Sequence, residues 1–264
     1  SVFLTFSHLC SKALMLFSVD ERLFEHFPEL KIGCLVCEIN NTQYNEDNLE
    51  DIIRDLKLNF PFQKPQEHPN IKVWRDAFNK LGISASKYYS SVESLLRRAL
   101  KGGPFPRINP VVDLYNAVSL KHLVPMGGHA ISPLEGDIAL CFANGGEFFV
   151  PMDSNDAERV DAKEVVYKDS KEVLTRRWVW RQCNKDKVTE QTASVFIPID
   201  VMPGLSDGLC ETVMADMEQM LVKNRYGKVL MKDILTKTQT STLISKNERT
   251  TLNETVSYFY CKKP

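Results

Sequence analysis

The chain predicts an α+β fold, with a helical first half and a mixed, largely antiparallel β-rich second half. Three observations carry the prediction. Apolar residues recur at helical spacing in most segments before Gly128, and the period changes to alternation after it. Polar turns such as Asn144-Gly145-Gly146 punctuate the second half. Helices first and strands later argue against a wound parallel sheet, which would alternate the two.

In order along the chain, Lys31 to Ile39 is a continuous apolar run and reads as a buried strand. Asp47 to Leu58 is an amphipathic helix, with Ile52, Ile53, Leu56 and Leu58 on its apolar side. The connector from Asn59 to Asn70 carries Pro61, Pro65 and Pro69 and marks a seam. Next comes a helix through Val73, Ala77, Phe78 and Leu81, stopped by Gly82. Ser90 and Glu93 have capping-box spacing and open another helix, which ends at Gly102-Gly103. Asn109 is a good N-cap and Pro110 an ideal first residue for a helix running to Leu120. Beyond Gly128, strands are expected over 137–143, with Gly145-Gly146 as a hairpin turn, and over 147–152, 164–167, 173–182 and 194–201, then a helix over 206–223. The expected organisation is an atypical N-terminal extension (1–16), a small N-terminal α/β part (17–60), a main domain (70–224) and an atypical C-terminal tail (225–264).

Composition narrows the function classes. The 264 residues, 43% hydrophobic and 25% charged, are those of an ordinary soluble globular protein. A net charge of −1 removes any strong global pull toward nucleic acid, so RNA binding would need a local basic patch. No apolar run reaches the roughly 20 residues of a membrane-spanning helix, so no membrane association is expected. The apolar start lacks a positive charge and is broken by Ser7, His8, Ser11 and Lys12, a poor secretory signal. Seven scattered cysteines suit a reducing compartment, and a cytoplasmic location is expected. Cys34 and Cys37 have C-x-x-C spacing, but a strand sends them to opposite faces. No phosphate loop, Ser-His-Asp order or metal-ligand pair stands in a convincing context, so neither cofactor nor metal is expected.

Asn109, Asp113 and Asn116 project from neighbouring turns of one helix. Buried polar groups need partners, so these residues either tie down adjacent loop amides or bind a ligand. Both readings stand at this point. His129 follows Gly127-Gly128, where glycines permit backbone conformations other residues resist; it is either a solvent-facing loop residue or a presented proton carrier. In the run Arg176 to Gln182, read as a strand, Trp178 is expected in the core. Trp180, Arg181 and Gln182 are candidates for a platform that stacks a base and contacts phosphate.

Taken together, these motifs resemble the editing module of the phenylalanyl-tRNA synthetase β-subunit, the B-three/B-four domain, and its free-standing relatives. Val111-Val112-Asp113-Leu114-Tyr115-Asn116 looks like the module's Val-Val-Asp-x-x-Asn helix, and Pro125 to Ala130 like its Pro-(Leu/Met)-His-Ala turn with two glycines inserted. Leu134 to Ile138, Asn144 to Glu147 and Val188 to Thr192 follow in the expected order, and the span runs from Phe17 to Lys223. This resemblance implies trans-acting hydrolysis of a mischarged aminoacyl-tRNA, the editing solution for near-isosteric amino acids. It implies catalytic roles for His129 and Asn116 and a substrate-binding wall of Asn109, Asp113, Trp180, Gln182 and Asn184. Asn184 stands near the place of the glutamate that reads the tyrosine hydroxyl. Arg107, Arg177 and Arg181 become the candidates for tRNA contact. The implied partners are tRNA and an aminoacyl-tRNA synthetase, for a monomer or weak homo-oligomer that would not aminoacylate by itself. A non-catalytic RNA-, tRNA- or synthetase-binding module is the alternative.

Overall fold

The computed structural model describes residues 13–46 and 48–246. Residues 1–12 of the expected extension, Asp47 at the expected helix start and residues 247–264 of the expected tail lie outside it. The elements are β1 (Ala13–Val19), α1 (Glu21–His26), β2 (Lys31–Ile39), α2 (Asn48–Asn59), α3 (Pro69–Lys80), α4 (Ser91–Lys101), α5 (Pro110–His122), β3 (His129–Ala130) and β4 (Ile138–Phe142). There follow β5 (Phe148–Phe149), β6 (Glu158–Arg159), β7 (Val165–Lys168), β8 (Val173–Arg176), β9 (Arg181–Gln182), β10 (Ser194–Val201), α6 (Leu209–Lys223), β11 (Gly227–Leu235) and β12 (Ser241–Lys246). The fold is α+β, as its hydrophobic pattern predicts.

Two sheets stack face to face. One has the order β12-β1-β4-β7-β8-β9, the other β11-β2-β10-β3. Among the described residues only β1 and β4 pair in parallel; the other ladders, including a separate two-stranded sheet of β5 and β6, are antiparallel. The period-2 alternation of β2 and β10 divides their side chains between two cores. Ile32, Cys34, Val36 and Phe196 face the larger sheet, against Phe17, Ile138, Leu140 and Tyr167. Leu35, Cys37, Val195, Ile197 and Ile199 face α5 and α6, against Val111, Leu114, Val118, Val213 and Met217. The two C-x-x-C thiols therefore sit in different cores, as strand geometry requires. At Gly33 an added Cβ would stand 2.9 Å from both Cys210 Sγ and Met214 Sδ, so glycine lets α6 close onto β2.

A third core joins α2, α3 and α4 to the far side of α5, through Leu49, Ile71, Leu96, Ala117 and Leu120. Covered from both sides, α5 is buried almost all round, which is why its polar residues are conspicuous. Its N-cap is Asn109, whose side chain accepts from the Val112 amide, and Pro110 is its first residue.

Four local expectations are corrected. Ser90 does cap α4, accepting from the Glu93 amide at 3.3 Å, but the Glu93 carboxylate does not close a capping box; Arg75 and Arg97 hold it instead. Gly145-Gly146 is not a hairpin turn, because β4 and β5 belong to different sheets; both glycines have positive φ, and Glu147 accepts from the Asn144 and Gly145 amides. The expected strand 173–182 reverses at residues 177–180, with Arg177 at φ 46° and Trp178 at φ 62°. Hydrogen bonds from the Arg177 amide to Glu164 and from the Trp178 amide to Val165 O hold that reversal. Finally, the stretch after Arg225 and the residues from Ala13 form strands that edge or extend both sheets. The pattern of β11 is blurred by outward Lys228 and Leu230 and by a bulge between Val229 and Met231.

Candidate ligand-binding site

Where α4 and α5 meet the ends of both sheets they leave a cavity of about 430 Å³. Ser91, Ser94, Leu95 and Arg98 line one wall because they recur at helical spacing on one face of α4. Tyr115 and Asn116 come from α5, Met126, Gly127 and His129 from the following turn and β3, Trp178 to Gln182 from the reversal and β9, and Pro198 and Asp200 from β10. A volume of this size is ordinary for a small-molecule or aminoacyl-sized ligand.

His129 lies in β3, 3% exposed, with its ring between Phe196 and Tyr167. It is therefore not a solvent-facing loop residue. Its Nδ1 stands 2.5 Å from Asp186 Oδ2. A carboxylate only accepts, so Nδ1 carries a proton toward Asp186, and in the neutral imidazole Nε2 is the acceptor. Asp186 is fully buried; its other oxygen accepts from Gln182 Nε2 at 2.9 Å and from the Cys183 thiol at 3.3 Å. Gln182 also donates to Gly128 O at 2.8 Å, which ties the turn to the same network. The two glycines before His129 do not serve by unusual φ, since neither is in the left-handed region. Gly128 is needed for space: a Cβ there would lie 2.7 Å from the Tyr115 ring.

The floor holds a residue that sequence reasoning missed. Asp200 is 2% exposed, and its Oδ1 accepts from Tyr167 Oη at 2.7 Å and Trp178 Nε1 at 2.8 Å. Burial pushes its carboxyl up to about 6, against the lowering effect of those two bonds and of His129. An acid between Ile199 and Val201 in an apolar strand was the available signal. Asp186 gave less, since it stands in the polar run Asn184-Lys185-Asp186-Lys187.

The expected site residues separate into two groups. Asn116, His129, Trp180, Arg181 and Gln182 share the cavity. Among the described residues the Asn116 amide has no hydrogen-bond partner. Trp180 stacks edge-on with Tyr88 and lies under the Arg177 guanidinium, and Arg181 pairs with Asp153 and Glu158. Arg177 itself lies over Tyr88, close to Asp161 and Glu164. Asn109, Asp113 and Arg107 are elsewhere, around the N-terminus of α5. There Asp113 accepts from Arg107 Nε at 2.6 Å, Tyr44 Oη at 2.8 Å and the Ile108 amide at 3.0 Å. Burial and the neighbouring Asp113 push the Tyr44 hydroxyl up to about 12. Asn109 Nδ2 donates to Val188 O. Asn184 also stands off the cavity lining, its amide donating to Val150 O. Among the described residues no group of His, Cys, Asp and Glu is placed to hold a metal, and no helix is long and apolar enough to cross a membrane.

A cavity between sheet ends and two helices, floored by a buried acid and walled by a His–Asp pair, marks a domain of α+β class. The chain belongs to the B3/4 domain family, whose model matches residues 73–206. Among solved structures it is similar to an N-terminal fragment of the phenylalanyl-tRNA synthetase β-subunit from Pyrococcus horikoshii, with 15% identity and a TM-score of 0.44. That match covers 84% of this chain and 55% of the fragment, so the chain spans about half the fragment's length. No curated protein matches the chain.

Proposed function

We propose that the cavity hydrolyses the ester joining a wrongly attached amino acid to tRNA, acting in trans. The observation that carries this reading is the convergence of His129, oriented by Asp186, with the unpartnered Asn116 amide in one aminoacyl-sized cavity. Membership of the B3/4 family supports it.

In this mechanism His129 Nε2 takes a proton from water as the water oxygen bonds to the ester carbonyl carbon. The carbonyl π electrons move to its oxygen, and the Asn116 amide donates to the resulting oxyanion. Collapse expels the ribose oxygen of the terminal adenosine, which receives the proton from His129 and leaves free amino acid and deacylated tRNA. Asp186 holds the tautomer and steadies the transient imidazolium. Trp180, between Arg177 and Arg181, offers a face and positive charge for the terminal nucleotide. A tRNA partner, and a synthetase beside it, belong to this reading, as does a cytoplasmic setting.

The test is a panel of mischarged tRNAs incubated with the purified chain. At least one member should be deacylated well above the rate without protein, and His129→Ala and Asn116→Ala should each cut turnover by roughly 100-fold or more with an unchanged circular dichroism spectrum. No turnover across the panel would sink hydrolysis. Retained tRNA binding without turnover would establish the non-catalytic binding module instead.

A further inference from the structure

The cavity floor carries a buried carboxylate with one oxygen left without a hydrogen bond. Asp200 Oδ1 already accepts two bonds, from Tyr167 and Trp178, and both donors are neutral. Its Oδ2 has no hydrogen-bond partner among the described residues, and Asp200 lines the cavity. The other buried carboxylate at this site, Asp186, is answered by His129, Gln182 and Cys183. Cationic side chains do reach the cavity, but from its outer part. Arg181 is engaged with Asp153 and Glu158, and Arg98 is an exposed residue of α4. Around Asp200 stand the rings of Tyr167 and Trp178, with His129 beyond them. A buried carboxylate without a cation is costly, and an oxygen left open toward a cavity is where a cation from outside can answer it.

From this geometry we infer that Asp200 receives a primary ammonium group of the ligand, one N–H on the open Oδ2 and the charge against the carboxylate. Its identification as the α-ammonium of an aminoacyl ester rests on the function proposed above. An α-amine seated there leaves the adjoining carbonyl in the cavity shared by Asn116 and His129. A hydroxyl or amide would supply one hydrogen bond and leave the charge unanswered, so a cationic amine is the better occupant. The consequence is a selectivity: esters with a free amine enter, and N-acylated ones, peptidyl esters among them, are refused.

Because Trp178 and Trp180 both line the cavity, tryptophan fluorescence reads occupancy directly. The full chain is titrated with tyrosinamide, phenylalaninamide and leucinamide, each beside its N-acetyl counterpart. At least one free amine should bind roughly 30-fold or more tighter than its acetylated twin, the loss typical of one member of a buried charge pair. Asp200→Asn keeps an oxygen for Tyr167 and Trp178 and should bring the twins to within about 3-fold while the fold persists. Equal binding of the twins, discrimination unchanged in Asp200→Asn, or no binding by any of the amines would overturn the inference. The two proposals fail separately. Discrimination without any tRNA deacylation leaves the ammonium site and removes the hydrolase. Deacylation that treats aminoacyl- and N-acetyl-aminoacyl-tRNA alike does the reverse.

Discussion

The N-terminus of α5 and the cavity beside its middle hold similar chemistry in opposite states of completion. At the helix start, Asp113 accepts three hydrogen bonds, one from the Arg107 guanidinium, while Asn109 uses both ends of its amide. Two turns on, Asn116 has no partner among the described residues, and across the cavity Asp200 keeps one oxygen open. Buried polar atoms normally find partners within the protein. Where they do, the cluster is explained by stability; where several open atoms converge on a cavity, a ligand completes the set. The same helix therefore teaches how to separate a structural polar cluster from a recognition site: by counting what is left over.

Four substitutions test this contrast, from the largest effect to the smallest. Asp113→Ala removes the acceptor of the Tyr44 hydroxyl, the Ile108 amide and Arg107, whose residues are exposed and can turn to water, and leaves a gap at a buried position; it should cost about 1–3 kcal/mol in urea denaturation. Amine-ligand affinity measured well below the melting temperature should survive. Loss of affinity with stability intact would place Asp113 in the site after all. Asp200→Asn should act in the opposite sense. With its carboxyl pushed from 3.8 up to about 6, the folded chain binds the proton more tightly than the unfolded one. The penalty of the charge is thus absent below the lower value and complete above the upper one. At pH 7.5 the substitution should stabilise by about 1–3 kcal/mol, a gain that fades toward pH 4. Calorimetric scans at the two pH values check the sign, and destabilisation at pH 7.5 would show that the open oxygen has a structural partner. Asn109→Ala removes the cap and orphans Val188 O, at about 1–2 kcal/mol. Asn116→Ala should change stability by no more than about 0.5 kcal/mol, since it breaks no bond within the protein.

Much of the fold was legible because α2, α3 and α4 carry helical periodicity, α5 is announced by its Asn109 cap and Pro110, and β2 and β10 are largely apolar runs. What escaped depends on contacts distant in sequence. The reversal at Arg177-Trp178 is held by Glu164 and Val165, and nothing within the run Arg176 to Gln182 announces it. The strand β12 is a polar Ser-Thr-Lys segment whose place is given by register with β1, with Leu243 opposite Leu16. In the site, His129 and Asn116 were readable as polar groups on an unusual turn and an apolar helix. Asp186 was not, because it stands in a polar run and its partner His129 is 57 residues away. Asp200 was readable in principle, as a lone acid in the apolar strand β10. The polar stripe of α5 suggested one site but divides after Asp113, since its first turn meets Tyr44 and Arg107 while Asn116 meets the cavity.

The strand that carries the cavity floor has a kinetic meaning as well. β10 pairs along its whole length with β2, which in turn pairs with β11, so the floor is secured by segments from near both ends of the described chain. Neither β2 nor β11 lies within residues 73–206, the span that matches the family. Pairings between such remote segments must first meet a large loop-closure cost, and they form slowly. The helical wall of α4 and α5 is built from contacts close in sequence, whereas Asp200 is held opposite Ile32, on a strand remote in sequence. The floor of the cavity is thus tied to a pairing that spans most of the described chain, between β10 and the early strand β2.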